Sequence, residues 1–453
     1  MGAELAKIFG FVLATAAVLW GCTQLARRAG DRLHPEIPRK LVHVALGLAT
    51  LSFPWLFDST WPVVLLAVFC VALMAAVRTI PRLRSHLGKG LHGVKRSSWG
   101  EVYFAIAVAL VFWLSGGDPV LFSLPVLVLT LADASGALAG MRYSSESSRY
   151  ETLDGRKSVE GSVAFFVVCF LAVLVPLLLA TEIDRAECLL IALAIAAVAM
   201  LIEAISVGGL DNLLLPLGTW ALLVRLVDLE LVPIVVRLGV VLGLLALVLM
   251  VRRGSSMDGG SLLGAVLLGY GGWVFGGWWC FVALLGLFAS HLWAIRSMRQ
   301  SAHSPIVPVH DLWPILSLAI TVMVWLAIGQ ALSGWRLEST DHFGVLPAVL
   351  GITIHFALIN SATVAVLVPS RSRAQRILLS SVKASLFSFV PAVFEFGSGA
   401  IGLALLSVVV CVIAIVIVGA TLRTDQLPNT RQRWLLQALV ATPLAMVGFL
   451  FVA

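Results

Sequence analysis

The chain has 453 residues, of which 60% are apolar and only 12% are charged. Because roughly a quarter of the residues in soluble domains are charged, this composition excludes a soluble globular protein and indicates an integral membrane protein. Lysine and arginine number 31 against 24 aspartates and glutamates, which gives a net charge of +7. In a chain of long apolar segments, that excess is typical of loops that fix membrane topology, and it argues against a nucleic-acid partner.

Apolar windows of about 20 residues, the length that crosses a bilayer, recur along the whole chain. They predict an all-α, polytopic transmembrane helix bundle of about 16 spanning helices in two halves. The windows of the first half are 6–24, 40–57, 62–78, 101–115, 119–140, 161–180, 186–206 and 212–228. Those of the second half are 231–251, 261–276, 278–295, 311–333, 344–368, 380–396, 399–420 and 434–452.

Basic residues concentrate in alternate loops between these windows. The basic loops lie around residues 27–40, 78–96, 142–157, 252–253, 296–299, 371–383 and 423–433. The intervening loops, such as 58–61 and 181–187, carry few basic residues. Because basic loops stay on the cytoplasmic side, we expect a protein of the bacterial inner membrane with both termini facing outward.

The second window opens with the cationic segment RKLVHVALG, residues 39–47. Helical spacing puts Arg39 and His43 on one face, with Lys40 and Gly47 flanking it, at the depth of the lipid headgroups. Such a cluster suits an anionic phosphate, and cations that snorkel to water are the alternative. Glu101, in the segment SSWGEVYF, is either a first-turn carboxylate that complements the helix dipole or a site residue.

Asp133 interrupts the apolar segment LADASGALAG, where a lone carboxylate needs a cationic partner or a function. Gly136 and Gly140 follow it at helical spacing, so we expect another helix to approach closely there.

The segment DGRKSVEGS, residues 154–162, then offers Arg156 and Lys157. Ser158 and Glu160 lie where a new helix begins, and the amides at a helix N-terminus are a natural phosphate site. Asp133, Glu160 and a divalent metal could bridge phosphates that Lys157 neutralises. A structural ion pair between Asp133 and Lys157 is the alternative.

Glu203 lies in apolar sequence just before the segment VGGLDNLLLP and is a candidate for a second metal carboxylate. Asp211 and Asn212 could simply start the next helix as its cap and first-turn residue. The Walker, Rossmann, HExxH and GxSxG motifs are all absent from the sequence, so any phosphate chemistry uses another scaffold.

Taken together and in order, RKLVHVALG, SSWGEVYF, LADASGALAG, DGRKSVEGS and EAISVGGLDNLLLP resemble the polyprenol kinase family over residues 36–225. That family includes phytol kinase, dolichol kinase and CTP-dependent diacylglycerol kinase. The resemblance implies transfer of the terminal phosphate of a nucleotide, typically CTP, to a long-chain isoprenoid or lipid alcohol. It also implies a divalent cation such as Mg²⁺ and an active site that faces the cytoplasm.

The resemblance also implies residue roles. The candidate catalytic residues are Asp133, Lys157, Glu160, His43, Glu101 and Glu203, and His43, Glu101 and Glu203 are the candidates for a general base. The candidate substrate and nucleotide ligands are Arg39, Lys40, Arg156, Ser158, Gly161 and Asn212. The candidate metal ligands are Asp133, Glu160 and Asp211.

The glycine- and tryptophan-rich segment 259–279 resembles the opening of a second family, which includes phytyl phosphate kinase. The acidic segment expected further on is represented by residues 359–364, which lack its carboxylates. The resemblance thus implies a phytol-kinase-like membrane domain at 1–228 and a degenerate, phytyl-phosphate-kinase-like domain at 229–453. Read from the residues alone, the glycines and tryptophans indicate tight helix packing with interfacial anchors.

Two other functions fit parts of the pattern. A CTP-dependent cytidylyltransferase that makes a CDP-lipid would share the acidic residues and the Lys-Ser-Val-Glu-Gly segment. A non-enzymatic transporter would also carry many spans and intramembrane carboxylates, but its polar residues would lie at the membrane midplane rather than at one face.

Overall fold

The computed structural model describes residues 2–29, 34, 36–79, 99–152, 155–300, 309–332, 344–389, 393, 399–422 and 430–451. The chain divides into two compact units, Met1–Gly239 and Val240–Ala453.

The first unit is a bundle of apolar helices with one small hairpin. Its helices are α1 Gly2–Ala29, α2 Glu36–Thr50, α3 Phe53–Leu56, α4 Trp61–Thr79, α5 Gly100–Leu114, α6 Pro119–Leu127, α7 Asp133–Tyr143, α8 Val159–Ala180, α9 Arg185–Ile205, α10 Asp211–Leu226 and the start of α11 Leu231–Val251. A π-helical turn, Val128–Ala132, joins α6 to α7. A 3₁₀ turn, Glu146–Ser148, leads into strands β1 Arg149–Thr152 and β2 Gly155–Ser158.

Helix α9 forms the centre of this unit and packs against α8 and α10. Most of its residues from Ile191 to Ile205 are buried, and many of them are alanines, which allow neighbouring helices to approach. Helix α7 packs against α8 through glycines: a Cβ atom at Gly161 would lie only 2.9 Å from the Gly136 carbonyl oxygen. The close approach expected at Gly136 and Gly140 is therefore present.

The helices alternate in direction, so their ends form two different polar surfaces. At one end, Asp118 caps α6 and Asp184 caps α9 by accepting hydrogen bonds from backbone amides. An aromatic cluster fills the same end, where the Phe53 ring stacks on Phe122 and Phe122 meets Phe112 edge to face. The other end holds the starts of α2, α5, α8 and α10, the end of α9 and the hairpin, and it carries the candidate site.

The second unit is also helical. It contains the rest of α11, then α12 Gly259–Gln300, α13 Trp313–Leu332, α14 Val345–Leu367, α15 Arg373–Phe389, α16 Gly399–Leu422 and α17 Arg431–Ala445, which continues as a 3₁₀ turn, Met446–Phe451. Helix α14 is central, with nearly every residue from Leu346 to Leu358 buried. Gly277 has a left-handed φ of 71° and breaks α12, so the windows predicted at 261–276 and 278–295 lie on either side of it.

Ten helical segments among the described residues are long and apolar enough to cross a membrane. Two shorter apolar helices, Trp61–Ala76 and Gly100–Leu114, accompany them. The all-α, polytopic fold is thus confirmed, but the count of about 16 spans is not. Helices α2 and α10 have 15 and 16 residues, which at about 1.5 Å per residue is shorter than a hydrocarbon core of about 30 Å.

The glycine contact between α7 and α8 gives a stability prediction. Replacing an interior helical glycine by alanine normally stabilises a helix by about 1 kcal/mol. We expect Gly161→Ala to do the opposite and to lower the melting temperature, because its Cβ would collide with a backbone oxygen of α7. Gly10→Ala in α1 is the control, since nothing lies within 4 Å of that Cβ position. Thermal unfolding in detergent measures the melting temperatures of both variants. Equal changes in melting temperature would contradict the close contact of α7 with α8.

Candidate active site

Two buried charged side chains of the first unit meet at Asp133. Its Oδ2 atom lies 2.6 Å from Lys40 Nζ and 3.4 Å from His43 Nε2. Lys40 is 5% exposed and Asp133 is 7% exposed, so neither charge is solvated by bulk water. Because an isolated charge is costly in such surroundings, each of the two groups compensates the charge of the other.

The π-helical turn Val128–Ala132 lies directly before Asp133. Such a turn inserts one residue into a helix, disturbs the regular backbone hydrogen bonds and is frequent at functional sites. Here His43 Nε2 lies 3.2 Å from the Leu129 carbonyl oxygen. That oxygen can only accept, so Nε2 carries a proton, and in the neutral ring Nδ1 is the nitrogen that can take up another.

Helix α2 meets the π-helical turn through Gly47. A Cβ atom there would collide with the side chain of Thr130, so a larger residue would push α2, with Lys40 and His43, away from Asp133. Thr130 is fully buried, and within the described part of the chain its hydroxyl has no hydrogen-bond partner. A buried polar atom of this kind marks a place where a water or ligand atom would be stabilised.

The hairpin directs Lys157 into the unit. Tyr150 and Lys157 are paired across the two strands, so their side chains share one face. Tyr150 Oη and Ser162 Oγ share a hydrogen bond of 2.8 Å, which attaches this face to α8. Burial raises the pKa of Tyr150 to about 12, so the phenol stays neutral and serves as an anchor.

Lys157 in turn binds the end of α9. Its Nζ donates to Glu203 Oε1 at 2.8 Å and also to the Glu203 backbone carbonyl. Both side chains are largely buried. This pair therefore attaches the hairpin to the central helix and places a second ammonium group near the first.

Glu160 and Arg156 contact residues near the hairpin rather than Asp133. Glu160 Oε2 accepts a hydrogen bond of 2.7 Å from Ser148 Oγ, and the exposed Arg156 pairs with Glu146 at 2.9 Å. Across the described residues, no contact joins Glu160 to Asp133. Ser158 caps α8 by accepting from the Gly161 amide, as expected at the start of a helix.

Helix α10 brings Asp211 and Asn212 to the same end. It follows Gly208 and Gly209, whose φ values of 61° and 89° are left-handed and favour glycine. Asp211 is the first residue of this helix, after Leu210 at the cap position, and its carboxylate accepts a hydrogen bond from the Asn212 amide. Asn212 is buried, and its Oδ1 finds no hydrogen-bond partner among the residues that the structure describes.

These groups form one electrostatic cluster. The charge of Asp211 interacts with those of Asp133, Lys157 and Lys40, and Glu203 interacts with both aspartates. Glu101, in the first turn of α5, lies within electrostatic range of Arg39. We define the cluster as Lys40, His43, Asp133, Lys157, Glu203, Asp211 and Asn212.

Three details differ from the sequence-based predictions. Helical spacing placed Arg39 beside His43, but it is Lys40 that faces inward with His43, and the exposed Arg39 pairs with Glu36. The cation beside Asp133 is Lys40 rather than Lys157. Glu160, predicted to share a metal with Asp133, is held by Ser148 because its helical position turns it towards the hairpin.

Sequence reasoning missed Thr130, Tyr150 and Ser148. Thr130 lies within an apolar segment, and the local sequence does not predict the π-helical turn. The short hairpin that pairs Tyr150 with Lys157 lies in a segment that the sequence predicts as a loop. Ser97 and Ser98 of the segment SSWGEVYF, and Asp154 of DGRKSVEGS, lie outside the described residues.

The fold and the cluster define a polytopic helical membrane protein whose first unit holds a charged site at one end. No protein-family model matches the chain, and no solved structure matches it. The chain is 30% identical over 209 residues to the phytol kinase of Synechocystis sp., an alignment that covers 45% of this chain and 86% of that protein. The chain therefore belongs to the polyprenol kinase family, which includes phytol kinase.

The buried pair gives a thermodynamic prediction. We expect Lys40→Met to lower the free energy of unfolding by about 3 to 5 kcal/mol, because it leaves the Asp133 charge buried and unpaired. The double variant Lys40→Met with Asp133→Leu should recover much of that loss, since no charge then remains unpaired.

Arg39→Met is the matched control one residue away. Its exposed pair with Glu36 should contribute about 0 to 1 kcal/mol. Thermal and denaturant unfolding in detergent would measure the free energy of unfolding of the two single variants and the double variant. Equal losses for Lys40→Met and Arg39→Met, or additive losses in the double variant, would contradict the pairing.

Proposed function

We propose that the chain is a membrane-embedded lipid-alcohol kinase that transfers the terminal phosphate of CTP to a long-chain isoprenoid alcohol, such as phytol or another polyprenol. The buried contact of Lys40, His43 and Asp133, in a chain of the polyprenol kinase family, carries the proposal. The Synechocystis relative is a phytol kinase by name, which supports an alcohol acceptor and a nucleotide donor.

The cluster carries charges of both signs, which suits the binding of a metal-nucleotide complex. Such a complex presents a cation and several anionic oxygens side by side, and the cluster presents carboxylates next to ammonium groups. Lys40 and Lys157 each lie within 3 Å of a carboxylate oxygen, at 2.6 and 2.8 Å. They are therefore held in place before the nucleotide binds, and positioning is the main requirement of phosphoryl transfer.

The donor set also fits Mg²⁺. Magnesium is usually held by one or two carboxylates together with substrate phosphates, and among the described residues no group of three or more His, Cys, Asp or Glu side chains could hold a metal alone. Asp133 and Asp211 would hold the ion, with the unpartnered amide oxygen of Asn212 beside them. When bound there, Mg²⁺ would neutralise charge on the transferred phosphate.

His43 is the best of the three candidate bases. The Glu203 carboxylate is bound by Lys157, and Glu101 lies in the first turn of α5, where it complements the helix dipole. The ring of His43 is fixed by its Nε2 contacts, so Nδ1 would accept the proton from the acceptor hydroxyl as the oxygen attacks the terminal phosphorus. Lys40 and Lys157 would stabilise the charge that develops on the phosphate oxygens.

The acceptor would reach this site from the bilayer. Leu41 and Leu48 on α2 are 42% and 48% exposed, so α2 offers an apolar surface to a prenyl chain next to His43. The hydroxyl would then lie at the charged end of the unit. Because nucleotides are cytoplasmic, this end would face the cytoplasm of a bacterial cell, which agrees with the charge of the loops.

A labelling assay tests the reaction. Purified protein in liposomes, with magnesium and CTP or ATP labelled in the terminal phosphate, would be given phytol, geranylgeraniol, undecaprenol, dolichol or diacylglycerol. We expect label in an isoprenoid monophosphate with CTP as donor. Asp133→Asn should lower the turnover number by roughly a hundredfold or more, because it removes a carboxylate that would hold the Mg²⁺ ion by which charge on the transferred phosphate is neutralised.

Asp118→Asn is the control for this substitution. It makes the same chemical change in a helix cap at the opposite end of the unit, and asparagine still caps. Retained turnover in Asp133→Asn would refute the site. Release of pyrophosphate with the nucleoside transferred to the lipid would instead identify a cytidylyltransferase.

Topology gives an independent prediction. Single cysteines at Ser147, beside the hairpin, and at Glu182, at the opposite end, are both exposed. In intact bacterial cells, a membrane-impermeant maleimide should label Glu182→Cys at once and Ser147→Cys only after the cells are opened. Of the native cysteines only Cys70 is not buried, and a Cys70→Ala background removes it. The reverse pattern would place the cluster outside the cell.

A further inference from the structure

The second unit contains a pocket that the kinase site does not use. Its cavity volume is about 100 Å³, and it has an open mouth. Its wall is mainly aliphatic and aromatic, with side chains such as Leu244, Val248, Leu268, Leu284 and Phe288. Sites for small molecules are typically concave, with an apolar wall and a few convergent polar groups.

The polar groups of this wall are three histidines. His291 comes from α12, His310 from the segment before α13 and His355 from α14. His355 Nε2 lies 3.1 Å from Thr321 Oγ1, which in turn lies 2.9 Å from Thr442 Oγ1. This histidine is therefore held by a hydrogen-bonded pair of threonines.

The other two histidines converge on one serine. Ser256 Oγ lies 2.8 Å from His310 Nδ1 and 3.4 Å from His291 Nε2, and the two rings meet edge to face. The backbone fixes this arrangement from both sides. The His310 amide donates to the Ser256 carbonyl oxygen at 2.7 Å, and the Asp258 amide donates to the His310 carbonyl oxygen at 3.0 Å.

Histidines are the titratable groups in the described lining of the pocket, and the lining carries no charge when they are neutral. Among the described residues that line the pocket there is no Lys, Arg, Asp or Glu. The charged groups that act on His310 are Arg433 and Asp311, which carry opposite charges and lie outside the lining. Burial lowers the pKa of His310, which favours the neutral imidazole. Neutral imidazoles beside a hydroxyl can exchange hydrogen bonds with an alcohol, whereas a phosphate would bring two negative charges against an apolar wall that has no charged side chain of its own.

We propose that this pocket is a second lipid site, which binds a neutral long-chain alcohol with its hydroxyl at His291 and His310, the two histidines of the lining that Ser256 contacts. The hydrocarbon chain lies along the apolar side chains and extends through the open mouth. That the chain is isoprenoid rests on the proposed function, because the acceptor alcohol is then the ligand of this class. The pocket would hold acceptor apart from the charged cluster in which it is phosphorylated.

Photolabelling of the full-length protein in nanodiscs tests the proposal. The probe is a long-chain isoprenoid alcohol with a diazirine on its chain, and mass spectrometry locates the labelled peptides. We expect label on residues 244–248 and 284–291, competed by unlabelled alcohol but not by the corresponding monophosphate or by an isoprenoid hydrocarbon without a hydroxyl. Label absent from both peptides, or competition by the monophosphate at lower concentration than by the alcohol, would overturn the proposal.

Two variants locate the binding. Ala265 lines the pocket, so Ala265→Phe should fill it and reduce labelling by roughly tenfold. Ala327→Phe, on an exposed position of α13, is the matched control and should leave labelling unchanged. If Ala265→Phe does not fold, Ser256→Ala should weaken competition by the alcohol relative to the hydrocarbon. Equal labelling of all variants would contradict the assignment.

Labelling needs no turnover, so this result is separable from the kinase assay. Asp133→Asn should lose phosphorylation yet keep the label in the second unit. Activity without labelling would refute only the second site, and labelling without activity would refute only the kinase.

Discussion

The requirement that buried charge be paired governs the first unit. Asp133 cannot be solvated by lipid or by apolar side chains, so the fold must bring a cation to it. That cation, Lys40, lies 93 residues earlier in the chain, and reaching it needs the contact of Gly47 with the π-helical turn. The π-helical turn, Gly47 and the ion pair therefore act together, and they allow the charge of Asp133 to be paired inside the bundle.

The same requirement explains why the second pair lies where it does. Lys157 is carried by a short hairpin, an element with little core of its own. Its attachment to Glu203 on the central helix, and that of Tyr150 to Ser162, replace the missing core with polar contacts. Lys157 is thereby fixed by the central helix α9, and Lys40 by the buried first residue of α7. Arg156 and Glu160 remain with the exposed network of Glu146 and Ser148.

Composition and apolar windows were enough to predict an all-α membrane protein, and the motif residues Lys40, His43, Asp133, Lys157 and Glu203 do meet in space. Which side chain contacts which could not be predicted. Arg39 and Lys40 are adjacent, and only the rotation of α2 about its axis decides which of them faces inward. The π-helical turn changes the phase of the helix at Asp133, and spacing arguments assume a regular helix. The predicted count of about 16 spans is not confirmed, because apolar length alone does not distinguish a crossing helix from a short buried one.

The polar groups of the two units differ in charge, and this difference determines which ligands each unit can bind. The cluster of the first unit contains ionised groups of both signs, which can bind a charged nucleotide and stabilise charge that moves during transfer. The described lining of the pocket in the second unit has no charged side chain, and its polar groups include three histidines, two of which contact Ser256. An uncharged site cannot stabilise a phosphate at reasonable cost, but it can select a hydroxyl at the end of a hydrocarbon chain. A chain that must handle both a water-soluble donor and a lipid acceptor gains from keeping these two environments in separate units.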